Sequence, residues 1–218
     1  MKALLKKEFT LCLHPTAYLF LAFCVFVFIP NYPYEVMFFF SGLSVFFICL
    51  TARENGDAAF TSSLPVRREY AVYARVLTCA IFQITLLMLA GITTAIKEAC
   101  FPPAIQMNAA GSTANLAFIG YGAIIMGTFN LTFFPIHYKN TNKVGIPFVL
   151  ASALEFLLIA LLIVFRYVVP LFRDVLNLPD PEMLWAKAVV LLIGLAVYAC
   201  FTCLAAWLGG KIFRSTDL

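Results

Sequence analysis

Charge in this chain is concentrated in one place. The stretch Thr51–Leu77, TARENGDAAFTSSLPVRREYAVYARVL, holds Arg53, Glu54, Asp57, Arg67, Arg68, Glu69 and Arg75 around Gly56 and Pro65, between two long apolar runs. Charges of both signs at that density can grip a partner surface, or they can simply solvate a loop. Elsewhere the reactive side chains are scattered. The two histidines, His14 and His137, lie in separate segments with no ligand spacing around them. An intramembrane enzyme needs carboxylates, His or Cys gathered near one depth, and no paired-carboxylate motif is present. The pair Cys200–Cys203 has thioredoxin spacing, but it sits inside VYACFTCLAAWLGG, where small residues packing in a helix is the plainer reading. Seven cysteines without a regular framework predict no disulfide scaffold. The phosphate-binding pattern G-x-x-x-x-G-K-[ST] is missing; GGKIF at Gly209 has the wrong spacing. The chain is therefore expected to be no enzyme and to carry neither metal nor cofactor.

The elements that position these residues follow from composition. Hydrophobic residues make up 63% of the chain and charged ones 12%, against about 45–50% and about 25% in a soluble domain. That excess cannot be hidden in one soluble core, so the solvent of much of this surface is lipid. About 20 apolar residues cross a bilayer as a helix, and continuous rather than alternating runs favour helices over a barrel. Six spans are expected, at about Thr16–Ile29, Tyr34–Leu50, Val72–Ile96, Ala114–Ile136, Val144–Phe165 and Leu184–Leu208. The basic N-terminal lead has no small-residue cleavage site after it, which reads as an uncleaved anchor. With both termini inside, the inner segments carry Lys2, Lys6, Lys7, Arg53, Arg67, Arg68, Arg75, Lys139, Lys143, Lys211 and Arg214. The outer ones carry only Lys97, Arg166, Arg173 and Lys187. The positive-inside rule then makes both tails and the charged stretch cytoplasmic.

Residues 1–14 suggest an amphipathic helix. Lys2, Lys6, Lys7, Thr10 and His14 fall on one side and Met1, Leu5, Phe9 and Cys12 on the other, with Glu8 and Leu13 fitting poorly. It either lies in the membrane interface, basic side toward the headgroups, or is a charged topological anchor; Pro15 ends it. In the charged stretch, Asn55-Gly56-Asp57 can turn and cap. The run DAAFTSSL can form a short helix with Asp57 at its positive end, and Pro65 halts it at Leu64. Two readings stand: a helix that docks in a groove on another protein, with Phe60 turned away from the membrane, or a plain charged loop.

The order of these parts resembles the small permeases of the ABC-2-type exporter family. The hallmark is a Ser-Leu-Pro-Val segment after the second span, followed by basic residues. Ser63, Leu64, Pro65, Val66, Arg67, Arg68 and Arg75 match it. The resemblance implies an all-α integral membrane protein of six transmembrane helices with an N-terminal interfacial helix. It implies a single permease domain over 1–218, with the interfacial helix at 1–14, a cytoplasmic coupling loop at 51–71 and an amphipathic, re-entrant extracellular segment at 166–183. Such a permease is half of a pore, pairs with a second copy or paralogue in the cytoplasmic membrane, and docks on a separate ATP-binding cassette ATPase that holds ATP and Mg. The contact would comprise Glu54, Asn55, Gly56, Asp57, Phe60, Ser63, Leu64 and Pro65, flanked by Arg67 and Arg68. Lipid is the other expected neighbour, and nucleic acid is not a partner.

Glu155 stands alone near the middle of the fifth span. A charge there costs about 2.5–3.5 kcal/mol on insertion scales. It either lines a transport route or joins the pore halves, or it bonds a neighbouring helix through Gln83 or Asn130. Gly120, Gly122 and Gly127 are expected to let helices approach closely. Asp180 and Pro181 are expected to cap and start the last span. Together these residues describe an exporter subunit for an amphipathic or hydrophobic cargo such as a peptide or antibiotic. The alternative is a stand-alone carrier or channel using Glu155 as its ion site.

Overall fold

The computed structural model describes residues 1–30, 32–102, 107–108 and 111–215. The expected outer loop around 97–115 falls in part on residues 103–106 and 109–110, outside the described residues, as does Asn31 in the turn between the first two spans. Five helices are long and apolar enough to cross a bilayer: α3 (Val36–Glu54), α5 (Arg68–Cys100), α6 (Leu116–His137), α7 (Gly145–Val168) and α9 (Leu184–Arg214). The short elements are α1 (Lys2–Lys7), α2 (Pro15–Leu21), α4 (Asp57–Ser63) and α8 (Pro170–Asp174). No helix-to-strand mixture arises among the described residues; the protein is all-α.

A sixth span is built differently. After α1 a π-helical turn runs from Glu8 to Cys12, and α2 continues into a 3₁₀ helix, Ala22–Phe28. The chain bends by 92° between Lys2–Cys12 and Pro15–Phe28. Pro15 occupies the first turn of α2, where its missing N–H is harmless, and His14 Nδ1 accepts from Thr16 N at 3.2 Å. Tightening to 3₁₀ raises the rise to about 2.0 Å per residue, so this segment reaches about 25 Å. A bend of that size turns the N-terminal segment roughly at right angles to the short span that follows it.

Three expectations are corrected. The third and last helices run past their predicted ends, to Cys100 and Arg214, because polar residues of their terminal turns stay helical. The charged connection is shorter than 51–71: Glu54 closes α3 and Arg68 opens α5, which leaves Asn55–Arg67 between them. Asp180 does not cap the last span. Both its oxygens accept from Leu116 N at 3.1 Å, at the start of α6, and Lys187 Nζ lies 3.7 Å away. Helix α9 starts instead after Met183, a left-handed residue with φ 49°. In the N-terminal segment Leu4, Glu8 and Cys12 form the stripe buried against protein, whereas Met1 and Phe9 are exposed.

Packing explains the small residues. A Cβ on Gly120 of α6 would lie 2.7 Å from Val190 O of α9, and one on Gly194 would strike the Gly120 carbonyl. The two backbones therefore touch where they cross, and side chains are excluded there. Further along, Gln83 of α5 and Asn130 of α6 exchange amide hydrogen bonds at 2.9 and 2.7 Å. Thr202 accepts from Asn130 at 3.0 Å, and Tyr198 donates to Gln83 at 2.9 Å. This neutral network pins three spans together with its polar atoms satisfied. The last turn of α9 lies beside the start of α5 and the end of α6, where Arg214 meets Glu69 at 3.3 Å and the rings of Phe213 and Tyr138 lie 5.3 Å apart. At the opposite end Arg166 of α7 pairs with Glu35, and Ser112 donates to Glu35 at 2.7 Å.

Candidate functional site

Helix α4 is short and cannot hold its shape alone, because nucleation of an isolated helix of this length is unfavourable. Its position is fixed by its ends and by one buried carboxylate. Gly56 precedes it in the left-handed conformation, φ 62°, which a side chain would strain. Leu64 leaves it extended, φ −80° and ψ 151°, as the residue before a proline prefers. Asp57, the first residue of α4, turns inward and is buried. One of its oxygens accepts from Lys7 Nζ at 2.7 Å and the other from Arg75 Nη2 at 2.7 Å.

Arg75 projects from the first turns of α5 and is itself buried. Its Nε donates to Glu8, and Nη2 reaches a Glu8 oxygen at 3.2 Å and Cys12 Sγ at 3.3 Å. Lys7 closes the ring, 3.0 Å from Glu8 and 2.8 Å from Thr61 Oγ1 on α4. Two cations and two carboxylates thus join three elements: the N-terminal segment, α4 and α5. Asn55 adds a bond from its side chain to Leu11 O at 2.6 Å. Burial pushes the Asp57 carboxyl up, but the Arg75 charge and the Lys7 and Arg75 hydrogen bonds outweigh it and hold the group below its ordinary range. Glu8, Cys12 and Asp57 could offer three ligand atoms within 4.8 Å of one another. Their carboxylates are already neutralised by Arg75 and Lys7, so the cluster suits a rigid ion-paired strut better than a metal site.

The predicted contact residues divide into two sets. Asp57 is buried in the strut. Glu54, Asn55, Gly56, Phe60, Ser63, Pro65 and Arg67 are exposed on the same end of the bundle, with Leu64 and Arg68 half-buried. Phe60 is 52% exposed, an apolar ring turned outward from a charged helix. Glu155 lies elsewhere. It is buried on α7 against Gly42 of α3 and Phe129 of α6, and both its oxygens lack a partner. Neither Gln83 nor Asn130 reaches it, since those two are committed to each other. The sequence reading missed Lys7, Glu8 and Arg75 as one unit. The available signal was Glu8, the acidic residue that spoiled the basic face of the N-terminal helix.

A bundle of five long apolar helices and a sixth, bent one defines a multi-pass membrane protein, and at one end of it an exposed short helix is braced by buried ion pairs. Residues 3–214 match the family described as ABC-2 family transporter protein, and the chain belongs to that family. It is a transmembrane subunit of an ABC transporter, a class that works with an ABC ATPase subunit. No curated protein and no solved structure matches the chain.

Proposed function

We propose that the chain is one half of the pore of an ATP-driven exporter and that α4 docks in a cleft on a separate ATPase subunit, which holds the ATP and Mg. The second half is another copy or a paralogue, and residues 1–218 act as a single permease domain. The eleven-to-four bias of basic residues supports placing both termini and α4 on the cytosolic side of the cytoplasmic membrane. One observation carries the proposal: α4 is exposed through Phe60 yet fastened at Asp57 to Arg75 of a spanning helix and to Lys7 of the N-terminal segment. A loop that merely solvates charge needs no buried brace. A helix pushed by a motor does, because the push must reach α5 without being lost in the loop. Closure of the ATPase pair then biases the pore between inward and outward access. The apolar spans, relieved by the neutral network around Asn130, suit an amphipathic or hydrophobic cargo such as a peptide or antibiotic.

Phe60→Asp tests the contact. Its ring is exposed, so folding is expected to survive while the ATPase subunit is lost on copurification. Full retention of the ATPase together with undiminished export would defeat the docking role. A second reading has one observation in its favour. The partnerless carboxylate of Glu155, buried in mid-span, is what an ion-driven carrier would use.

A further inference from the structure

A cavity of about 350 Å³ opens at the end of the bundle that carries α4. That volume lies at the low end of small-molecule sites. It is framed by the end of α3, the inner side of α4, the first turns of α5 and the 138–142 turn after α6. His137, the last residue of α6, borders it; the residue is only 3% exposed and its Nδ1 has no hydrogen-bond partner. The ring is held by stacking on Phe133, centroids 5.4 Å apart, so it is not free to turn away and find water elsewhere. A buried polar atom without a partner is costly, and the residue that carries it forms part of the cavity wall.

The charges around the mouth set the sign of what enters. Arg53 at the end of α3 and Lys139 in the turn after α6 are both exposed in the lining, and among the described residues Arg53 has an exposed contact to Glu54 at 3.7 Å. Exposed pairs of that kind are weak. Asp57 is the one acidic residue of the lining, and both of its oxygens are consumed by Lys7 and Arg75. Asn140 and Asn142 add amide donors at the rim. Cations and neutral donors facing a polar atom inside a cleft favour an anion with several acceptor oxygens.

We propose that this cavity binds the phosphate group of a small anion, hydrogen-bonded to His137 and held at the mouth by Arg53 and Lys139. A cytosolic phosphate ester and the headgroup of an anionic lipid share that chemistry. The side from which it enters rests on the orientation proposed above; binding itself does not, and neither depends on an ATPase.

The test uses the full-length chain in phosphatidylcholine nanodiscs, titrated calorimetrically with inorganic phosphate and with glycerol 3-phosphate at constant ionic strength, with chloride as the control. Saturable binding is expected for at least one phosphate species. It should weaken at least tenfold in His137→Phe and in Arg53→Gln/Lys139→Gln, the latter changing only exposed side chains so that folding is preserved. A second arm adds phosphatidylglycerol to the discs. If that lipid is the occupant, native mass spectrometry shows it retained by the wild type and lost from the double variant, and its presence blocks soluble phosphate. Absence of saturable binding by both sources, or equal binding in the wild type and both variants, overturns the proposal. Loss of ATPase docking in the double variant without any phosphate binding also overturns it and assigns the mouth to the partner interface.

Discussion

At the scale of single residues, Arg75 decides most. From a spanning helix it reaches Glu8, Cys12 and Asp57 at once, with Lys7 bridging the same two carboxylates from the N-terminal segment. Removing one member of a buried ion network leaves the others unpaired, at about 3–5 kcal/mol. Arg75→Gln is therefore expected to lower thermal stability in detergent by about that amount, and to release α4 so that protease cleaves within 55–67 before the spans unfold. Asp57→Asn should cost less, because Lys7 and Arg75 retain Glu8. Its pH dependence has a definite sign. The folded carboxyl is held below its ordinary value of 3.8, so its contribution is present above that value and fades as pH falls through the lower folded value. The stability gap between wild type and Asp57→Asn should be open at pH 7 and narrow below about pH 4. A gap that stays constant in acid would mean that the ion pairs do not stabilise the fold. Much of this was legible in the sequence as type but not as pairing. The wheel over 1–14 showed that Glu8 sat apart from its neighbours. It could not show whether its side met lipid or protein, since both are apolar surroundings. Arg75 looked like one more inner-end cation, because nothing local reveals that a carboxylate 67 residues away, Glu8, reaches it.

At the scale of elements, the spans were visible because a 20-residue apolar run has few other fates, and the short helix at 57–63 because Gly56 and Pro65 bound it. The errors lie where partners are remote in sequence. Asp180 precedes α9 and looked like its cap, but it satisfies the start of α6, 64 residues earlier. Helix crossings follow the same logic, since glycines announce closeness without naming the neighbour. At the α6–α9 crossing the neighbour is backbone, so even one methyl must displace a helix. Gly194→Ala is expected to destabilise the bundle by about 1–3 kcal/mol, the range for overpacked contacts, seen as a lower unfolding midpoint in nanodiscs. Gly56→Ala is a different test on the short helix. A Cβ there meets nothing within 4 Å, so only the left-handed backbone is strained, at about 1–2 kcal/mol. Gly56→Asn should recover most of that loss, because asparagine tolerates the conformation. If Gly56→Ala cost nothing, the turn into α4 would not be held as described.

Across the whole molecule, ionic contacts hold the two ends and neutral ones the middle. Lys7, Glu8, Asp57 and Arg75 brace the end carrying α4 and the N-terminal segment, Glu35 and Arg166 brace the other, and the Gln83–Asn130 amide pair joins the spans between them. Glu155 is the exception, an acid in mid-span with nothing bonded to it. The two accounts of the energy source place their weight on different parts of this layout. If ATP drives export through α4, the brace is indispensable. Arg75→Gln should then abolish ATP-dependent export of a reconstituted complex and weaken retention of the ATPase. Glu155→Gln should slow cargo movement while the ATPase stays bound, since no ion pair is lost with its charge. If an ion gradient drives a stand-alone carrier, the pattern inverts: Glu155→Gln should stop transport, Arg75→Gln should reduce only stability, and dissipating the gradient should halt uptake into vesicles even with ATP present. Measuring partner retention and transport in the same two variants separates these cases, because a shared loss of folding would lower both quantities in both proteins. The brace at Arg75 is what the first pattern requires, because it joins the exposed helix to a membrane span; in the second pattern the same joint would serve stability alone.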